Sequence, residues 1–278
     1  MQPEILPRSG WRPANKENRK LDMCQLLGMN CNVPTDICFS FRGFHQRGGR
    51  TADHADGFGV AFFEGTGCRM FVDARPAVDS PVAALVANYP IRSRNVIAHI
   101  RKATQGEVAL VNTHPFMREL WGRYWIFAHN GTLKNYRPDS GNRYRPVGGT
   151  DSELAFCHLL DTLRLRYPDE QPPLRELHGA LAALSAKIAG HGTFNYMLSN
   201  GEYLFAHCTD KLSYVLRHAP FATAHLMDQD IEVDFSEVTT PDDKVAIIAT
   251  EPLTDNETWT RLGAGQLMAF QDGAPVAN

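Results

Sequence analysis

Two amphipathic helices lie back to back between residues 150 and 190, with short strand-like runs on both sides. This pattern restricts the architecture more than any other feature of the chain. Thr150-Asp151-Ser152-Glu153 reads as a capping box, with Thr150 as N-cap and Glu153 three residues on, ahead of Leu154, Leu159, Leu160 and Leu163. The next helix opens after Pro172-Pro173. Its Leu174, Leu177, Leu181, Leu184 and Ile188 advance in steps of 3, 4, 3 and 4, one apolar stripe ended by Gly190 and Gly192. Upstream, the runs 25–29, 57–63, 69–74, 95–101 and 124–129 read as strands, rich in Val, Ile, Phe or Tyr and bounded by Gly, Asp or Pro. Downstream, 193–199, 202–207, 213–217, 244–250 and 266–270 do the same. Ser199-Asn200-Gly201-Glu202 reads as a hairpin turn between two of them. Shorter helices are expected over 35–46 and 80–88. Successive hairpins with helices grouped between them predict an α+β fold of antiparallel sheets covered by helices, not a doubly wound parallel sheet.

Composition narrows the function. With 43% hydrophobic and 10% aromatic residues in 278, the chain can bury a sizeable core. Lys+Arg total 28 against 31 Asp+Glu, a net charge of −3, so there is no basic excess to grip nucleic acid or an anionic membrane. No run approaches the roughly 18 apolar residues that span a bilayer, and a cytoplasmic protein is expected. Cys24, Cys31, Cys38, Cys68, Cys157 and Cys208 show neither CxxC nor zinc-ligand spacing. Five of them read as reduced packing residues, and no metal is expected. Residues 1–22 are polar and lack the apolar core of a secretory signal. They read as a leader, absent from the mature chain or unstructured. A single domain then covers 23–278, with Met23-Cys24 at its start.

Five short segments could carry chemistry, and each has a plainer explanation. Cys24 at the head of a strand can be simple packing. If Met23 is removed, however, Cys24 carries a thiol of pKa about 8.5 beside an α-amine of about 7.7–8.0, a matched nucleophile and base in one residue. Asn130-Gly131 after a strand reads either as a type I′ turn or as two donors, side-chain amide and backbone N–H, converging on an oxyanion. Arg101 ends the run Val96-Ile97-Ala98-His99-Ile100 and either faces solvent or captures a carboxylate with its planar fork. Asp151 at the first turn of a helix is favoured by the dipole, or holds an ammonium. His99 and His129 read as partly buried histidines, with a papain-like Cys–His dyad as the rival. His114, in Asn112-Thr113-His114-Pro115-Phe116, is expected to line the pocket. Arg42, Arg47 and Arg50 beside Gly43, Gly48 and Gly49 read as a solvated flap, with a lid over the substrate as the alternative.

The order of these segments resembles the glutaminase domain of class II glutamine amidotransferases, a branch of the N-terminal nucleophile hydrolases. The likeness rests on Cys24, on His99-Ile100-Arg101-Lys102-Ala103-Thr104, on His129-Asn130-Gly131 and on Thr150-Asp151 opening a helix. Asp56-Gly57-Phe58-Gly59 and Thr250-Glu251-Pro252-Leu253, with Trp259 and Gly265 beyond, look like the short stand-alone bacterial branch. The resemblance implies a four-layer αββα sandwich and no cofactor. It also implies attack of Cys24 on the γ-carboxamide of glutamine or of a small γ-glutamyl compound, releasing ammonia or an amine and then glutamate. Arg101 would hold the α-carboxylate, Asp151 the α-ammonium, and Asn130 with Gly131 the oxyanion, with Thr104 beside the substrate. Lys102 and Gln105 depart from the family pattern, where an aromatic residue and a histidine are common. Two other functions are consistent with the motifs: a glutaminase subunit feeding ammonia to a separate synthase, and a non-catalytic amino-acid-binding protein if the leader stays attached.

Overall fold

The computed structural model describes residues 24–104, 106–139 and 143–276; the expected leader, Met23 and Gln105 lie outside the described residues. Among these residues the chain forms fifteen strands and four helices. It begins with β1 (Gln25–Asp36), α1 (Cys38–Gln46), β2 (Phe58–Glu64), β3 (Gly67–Asp73), α2 (Pro81–Asn88) and β4 (Arg92–Ile100). There follow β5 (Phe116–Leu120), β6 (Arg123–Asn130), α3 (Asp151–Arg166), α4 (Leu174–Ala189), β7 (Asn195–Ser199) and β8 (Leu204–His207). The last third holds β9 (Ser213–His218), β10 (Thr223–His225), β11 (Glu232–Asp234), β12 (Lys244–Ala249), β13 (Thr260–Arg261), β14 (Leu267–Gln271) and β15 (Ala274–Pro275).

Every strand pairing is antiparallel. One sheet has the order β13-β9-β12-β1-β4-β2-β3, the other β15-β14-β8-β7-β6-β5, and β10 with β11 makes a separate ribbon. The period of two along each strand sorts side chains into layers. On β1, Leu27 and Met29 join Phe41 and Phe44 of α1 and Val86 of α2 in one cluster. Leu26, on the opposite face, joins Ile97, Ile126, Ala128, Met197 and Ile248 in a second cluster between the sheets. On β6, Trp125 and Phe127 pack with Leu159, Leu163, Leu177, Leu181 and Ile188 of α3 and α4. The result is the four-layer αββα sandwich. The sheets approach closely at β1, where a Cβ on Gly28 would stand 2.7 Å from Met197 Sδ. Each fully buried Leu or Ile of the α4 stripe contributes about 1.5–3 kcal/mol of apolar transfer free energy.

The structure departs from the sequence reading in two places. Thr35 and Asp36 belong to β1, paired with Ser93 and Arg92, and not to the expected helix; the Asp36 carboxylate instead accepts the Cys38 N–H at 3.1 Å as α1 begins. The Asn200-Gly201 hairpin turn forms as read, between β7 and β8, with Gly201 at a positive φ (87°). Asn200 Oδ1 accepts the N–H groups of Glu202 and Tyr203 at 3.1 and 2.9 Å, so a side chain shapes the turn. Finally, Arg47 is no flap residue: it is buried, 1% exposed. Its guanidinium pairs with Asp228 (2.9 and 2.8 Å) and donates to Gln25 Oε1 (3.3 Å) and to the carbonyls of Glu251 (3.0 Å) and Pro252 (2.5 Å). The glycine-containing loop is thereby pinned to the segment that follows β12.

Candidate active site

Cys24 stands at the mouth of β1, on the face that looks toward the second sheet. Its Sγ lies 3.2 Å from both main-chain polar atoms of Lys102: the Lys102 N–H donates to the sulfur, and the thiol donates to the Lys102 carbonyl. The Arg101–Ala103 turn is in turn fixed by the start of β2. Asp56 accepts the Ala103 N–H at 2.7 Å, the Asp56 N–H donates to the Arg101 carbonyl (3.2 Å), and the Gly57 carbonyl accepts the Arg101 N–H (2.8 Å). The contact to sulfur is therefore made by the Lys102 backbone and not by its side chain. Burial pushes the Cys24 thiol up to about 11, outweighing the lowering effects of the Lys102 backbone and the Arg101 charge. It is a neutral thiol at pH 7.

Asn130 comes from the other sheet, at the end of β6, and is wholly buried. Its Nδ2 donates to the Cys24 carbonyl at 2.5 Å and to Thr250 Oγ1 at 3.2 Å. The same Thr250 hydroxyl oxygen accepts the Leu26 N–H at 2.9 Å, so it ties β1 to β6 just beyond β12. Asn195 Nδ2 donates to the Asn130 carbonyl (3.3 Å) while its Oδ1 gathers the N–H groups of Thr209 and Asp210. At Gly131 a Cβ would collide with the Thr193 carbonyl, which explains glycine there sterically. The pair is not a hairpin turn: β6 continues into the long connection to α3 and hydrogen-bonds β5 and β7.

The segment after Gly131 gathers the remaining candidates. Asp151 Oδ2 accepts the Leu133 N–H at 2.6 Å, and Thr104 Oγ1 lies 3.0 Å from Thr132 Oγ1. Arg101 is 3% exposed, not solvated; Nη1 donates to the Glu107 carbonyl (3.0 Å) and Nη2 to that of Gly106 (3.2 Å). Thr150 caps α3 by accepting the Glu153 N–H at 3.2 Å. Glu153 does not close the box; it turns to the Gly148 N–H (2.8 Å) and to Arg118 (2.5 Å). Thr104 and Asp151 thus meet the residues that follow Gly131, Asn130 meets Cys24, and Arg101 is held by the Gly106 and Glu107 carbonyls.

His114 stands apart. It is buried against His99 (ring centroids 4.3 Å) and Phe116 (4.4 Å). Burial first, and then neighbouring charge, drives His99 down to about 3 and His114 well below the usual imidazole value. His129 faces α3, with Nδ1 at 2.8 Å from Ser152 Oγ and Nε2 at 3.0 Å from the Thr193 carbonyl. The polar partners of Cys24 Sγ are main-chain atoms, and the Cys–His dyad does not form. Three supporting residues escaped the sequence reading as site residues. Asp56 and Thr250 sat inside quoted motifs without a role, and Asn195 carried no local signal. Among the described residues, no group of three or more His, Cys, Asp or Glu side chains could hold a metal, and no helix is long and apolar enough to cross a membrane.

A family profile for glutamine amidotransferases class-II matches residues 23–278. The candidate glutamine amidotransferase YafJ of Escherichia coli K12 is 53% identical over 254 residues, covering 91% of this chain and all of the relative. The crystal structure of a predicted glutamine amidotransferase from Pseudomonas aeruginosa superposes with a TM-score of 0.74 at 46% identity, covering 92% of this chain and all of the other. Glutamine phosphoribosylpyrophosphate amidotransferase from B. subtilis shares the fold at TM-score 0.55 and 13% identity, over 91% of this chain and 48% of that one.

Proposed function

The chain belongs to the class-II glutamine amidotransferases, and from that membership we propose that it hydrolyses the γ-amide of glutamine or of a small γ-glutamyl compound through a Cys24 thioester. The observation that carries this reading is the Asn130 side-chain amide, brought from the opposite sheet to within 2.5 Å of the Cys24 carbonyl. A fixed neutral donor beside a half-buried thiol suits a developing oxyanion.

The thiol is held neutral by burial, so attack needs a base at the moment of bond formation. The α-amine of Cys24, released once the residues before it are gone, is matched to that task. Sγ bonds to the carbonyl carbon of the side-chain carboxamide (Cδ) as the thiol proton passes to that amine. Charge on the carbonyl oxygen is met by the Gly131 N–H and by Asn130 Nδ2–H, which exchanges one of its two present acceptors, the Cys24 carbonyl or Thr250 Oγ1, for the oxyanion. The C–N bond then breaks, the leaving nitrogen takes the proton, and a γ-glutamyl thioester remains. Water adds to the thioester carbon, its proton goes to the amine, and the C–S bond breaks to give glutamate and the thiol. Arg101 holds the α-carboxylate, Asp151 the α-ammonium, Thr104 lies at the rim and His114 behind the pocket wall. No cofactor enters these steps.

The decisive test is intact mass and glutamate release on the same preparation. Protein beginning at Cys24 is expected to release glutamate from at least one member of a panel of γ-glutamyl amides. Full activity with residues 1–23 still attached would overturn the amine's role, and no turnover by any processed preparation would overturn the reaction. Turnover seen only with a co-purifying synthase would favour ammonia supply to a partner.

A further inference from the structure

The two ends of an α-amino acid are assigned above to residues on different layers. Arg101 closes β4 in the first sheet, whereas Asp151 opens α3 on the far side of the second. Something must set the distance between them. The segment between β4 and β5 returns past both, and it carries Asn112, which is 5% exposed. Asn112 Nδ2 donates to the Glu107 carbonyl at 3.0 Å, the same oxygen that accepts Arg101 Nη1 at 3.0 Å. Asn112 Oδ1 accepts the Gly149 N–H at 2.9 Å, two residues before Asp151. One amide therefore touches the loop that anchors the guanidinium and the turn that launches the helix bearing the carboxylate. The fit is tight: a Cβ on Gly148 would stand 2.8 Å from the Val111 carbonyl. Asn112 supplies both a donor and an acceptor in a fixed plane, and either half alone would hold only one end.

We infer that Asn112 is a positioning residue that sets the spacing between the carboxylate-binding Arg101 and the ammonium-binding Asp151, and so selects zwitterionic α-amino-acid substrates over ligands with a single charged end. This rests on the amino-acid reading of the site given above. Asn112 touches no reacting atom in this scheme, so its loss acts on binding of the two-ended ligand and leaves the chemical step alone.

The experiment pairs binding with turnover in the full mature chain. Calorimetry in a Cys24→Ala background, with and without Asn112→Ala, uses L-glutamine and glutaramate, which keeps the carboxylate and the amide but has no ammonium. L-Glutamine affinity is expected to fall about tenfold, the scale of losing one or two such bonds, while glutaramate affinity changes less than about twofold. In the Cys24 enzyme, Asn112→Ala is expected to raise KM for glutamine by about the same factor with kcat within about threefold. Asn112→Asp, which keeps the acceptor for Gly149 and loses the donor to Glu107, carries the same test if the alanine variant folds poorly. Equal losses for both ligands, or a fall in kcat at unchanged KM, would overturn the inference. If the wild-type chain turned over no γ-glutamyl compound, the proposed reaction would fail while the binding ratio still decided the role of Asn112. Absence of L-glutamine binding to the Cys24→Ala chain would overturn the inference as well.

Discussion

At the scale of single residues, the site divides by the kind of atom used. Cys24 is gripped by main chain, so the contact to its sulfur does not depend on the Lys102 side chain. Cys24→Ala is expected to abolish both glutamate release and labelling by 6-diazo-5-oxo-L-norleucine, scored by mass, with the melting temperature little changed. With residues before Cys24 still attached, the sulfur has only its own acidity to rely on. Its alkylation by iodoacetamide should then be slow at pH 7 and climb about tenfold per pH unit toward the value near 11 set by burial. A rate already at its plateau at pH 8 would contradict the burial argument. Asn130→Ala should cost about 10²–10³ in kcat, the usual loss of one oxyanion donor, read from steady-state kinetics. The chemistry-bearing residue types were legible in the sequence because they sat in short local segments. Their partners were not: Thr250 reaches Leu26 and Asn130 across the whole length of the chain, and no spacing rule announces such a bond.

At the scale of elements, the helices were the most legible parts, since the Leu177, Leu181, Leu184 and Ile188 stripe is written at helical period and is buried as written. Turns were less so. The β5–β6 hairpin uses Trp121-Gly122, both with positive φ (57° and 73°). Trp121 gives no Asn-Gly signal and is retained by other contacts, its indole N–H donating to the Tyr167 carbonyl at 2.9 Å and its ring meeting Trp125 edge-on. The basic loop after α1 misled for a related reason. An arginine near glycines looks solvated until a distant carboxylate meets it, and Asp228 follows the β10 strand far along the chain. Asp228→Ala leaves that guanidinium buried without its counter-charge. It should destabilise the protein by about 3–5 kcal/mol, measured by urea unfolding; a loss under 1 kcal/mol would show that the carbonyls of Glu251 and Pro252 suffice.

For the whole molecule, the two sheets meet through small and aliphatic side chains, Ala61, Ala128 and Ala206 among them, and buried imidazoles stand at one end of that interface. His99, near 3, and His114, held well below the usual imidazole value by burial, are neutral in the folded protein but take up protons near 6.5 when the chain unfolds. The unfolded state therefore binds more protons between pH 3 and 6.5, and stability rises with pH through that window. At pH 5, His99 alone should cost about 2 kcal/mol relative to neutral pH, seen as a falling denaturation midpoint. His114→Phe, which preserves a ring against Phe116, should flatten part of the decline. The sandwich was read from its resemblance to known proteins, since alternation and hairpins alone gave antiparallel sheets under helices without saying that two sheets lie face to face.

Cys24 heads one sheet, the amide that meets its carbonyl ends a strand of the other, and the hydroxyl that joins that amide to the Leu26 N–H comes from residue 250. A nascent chain emerging from the ribosome cannot assemble this trio until nearly all of it has been synthesised. Fragments that stop short of residue 250 are therefore expected to release no glutamate.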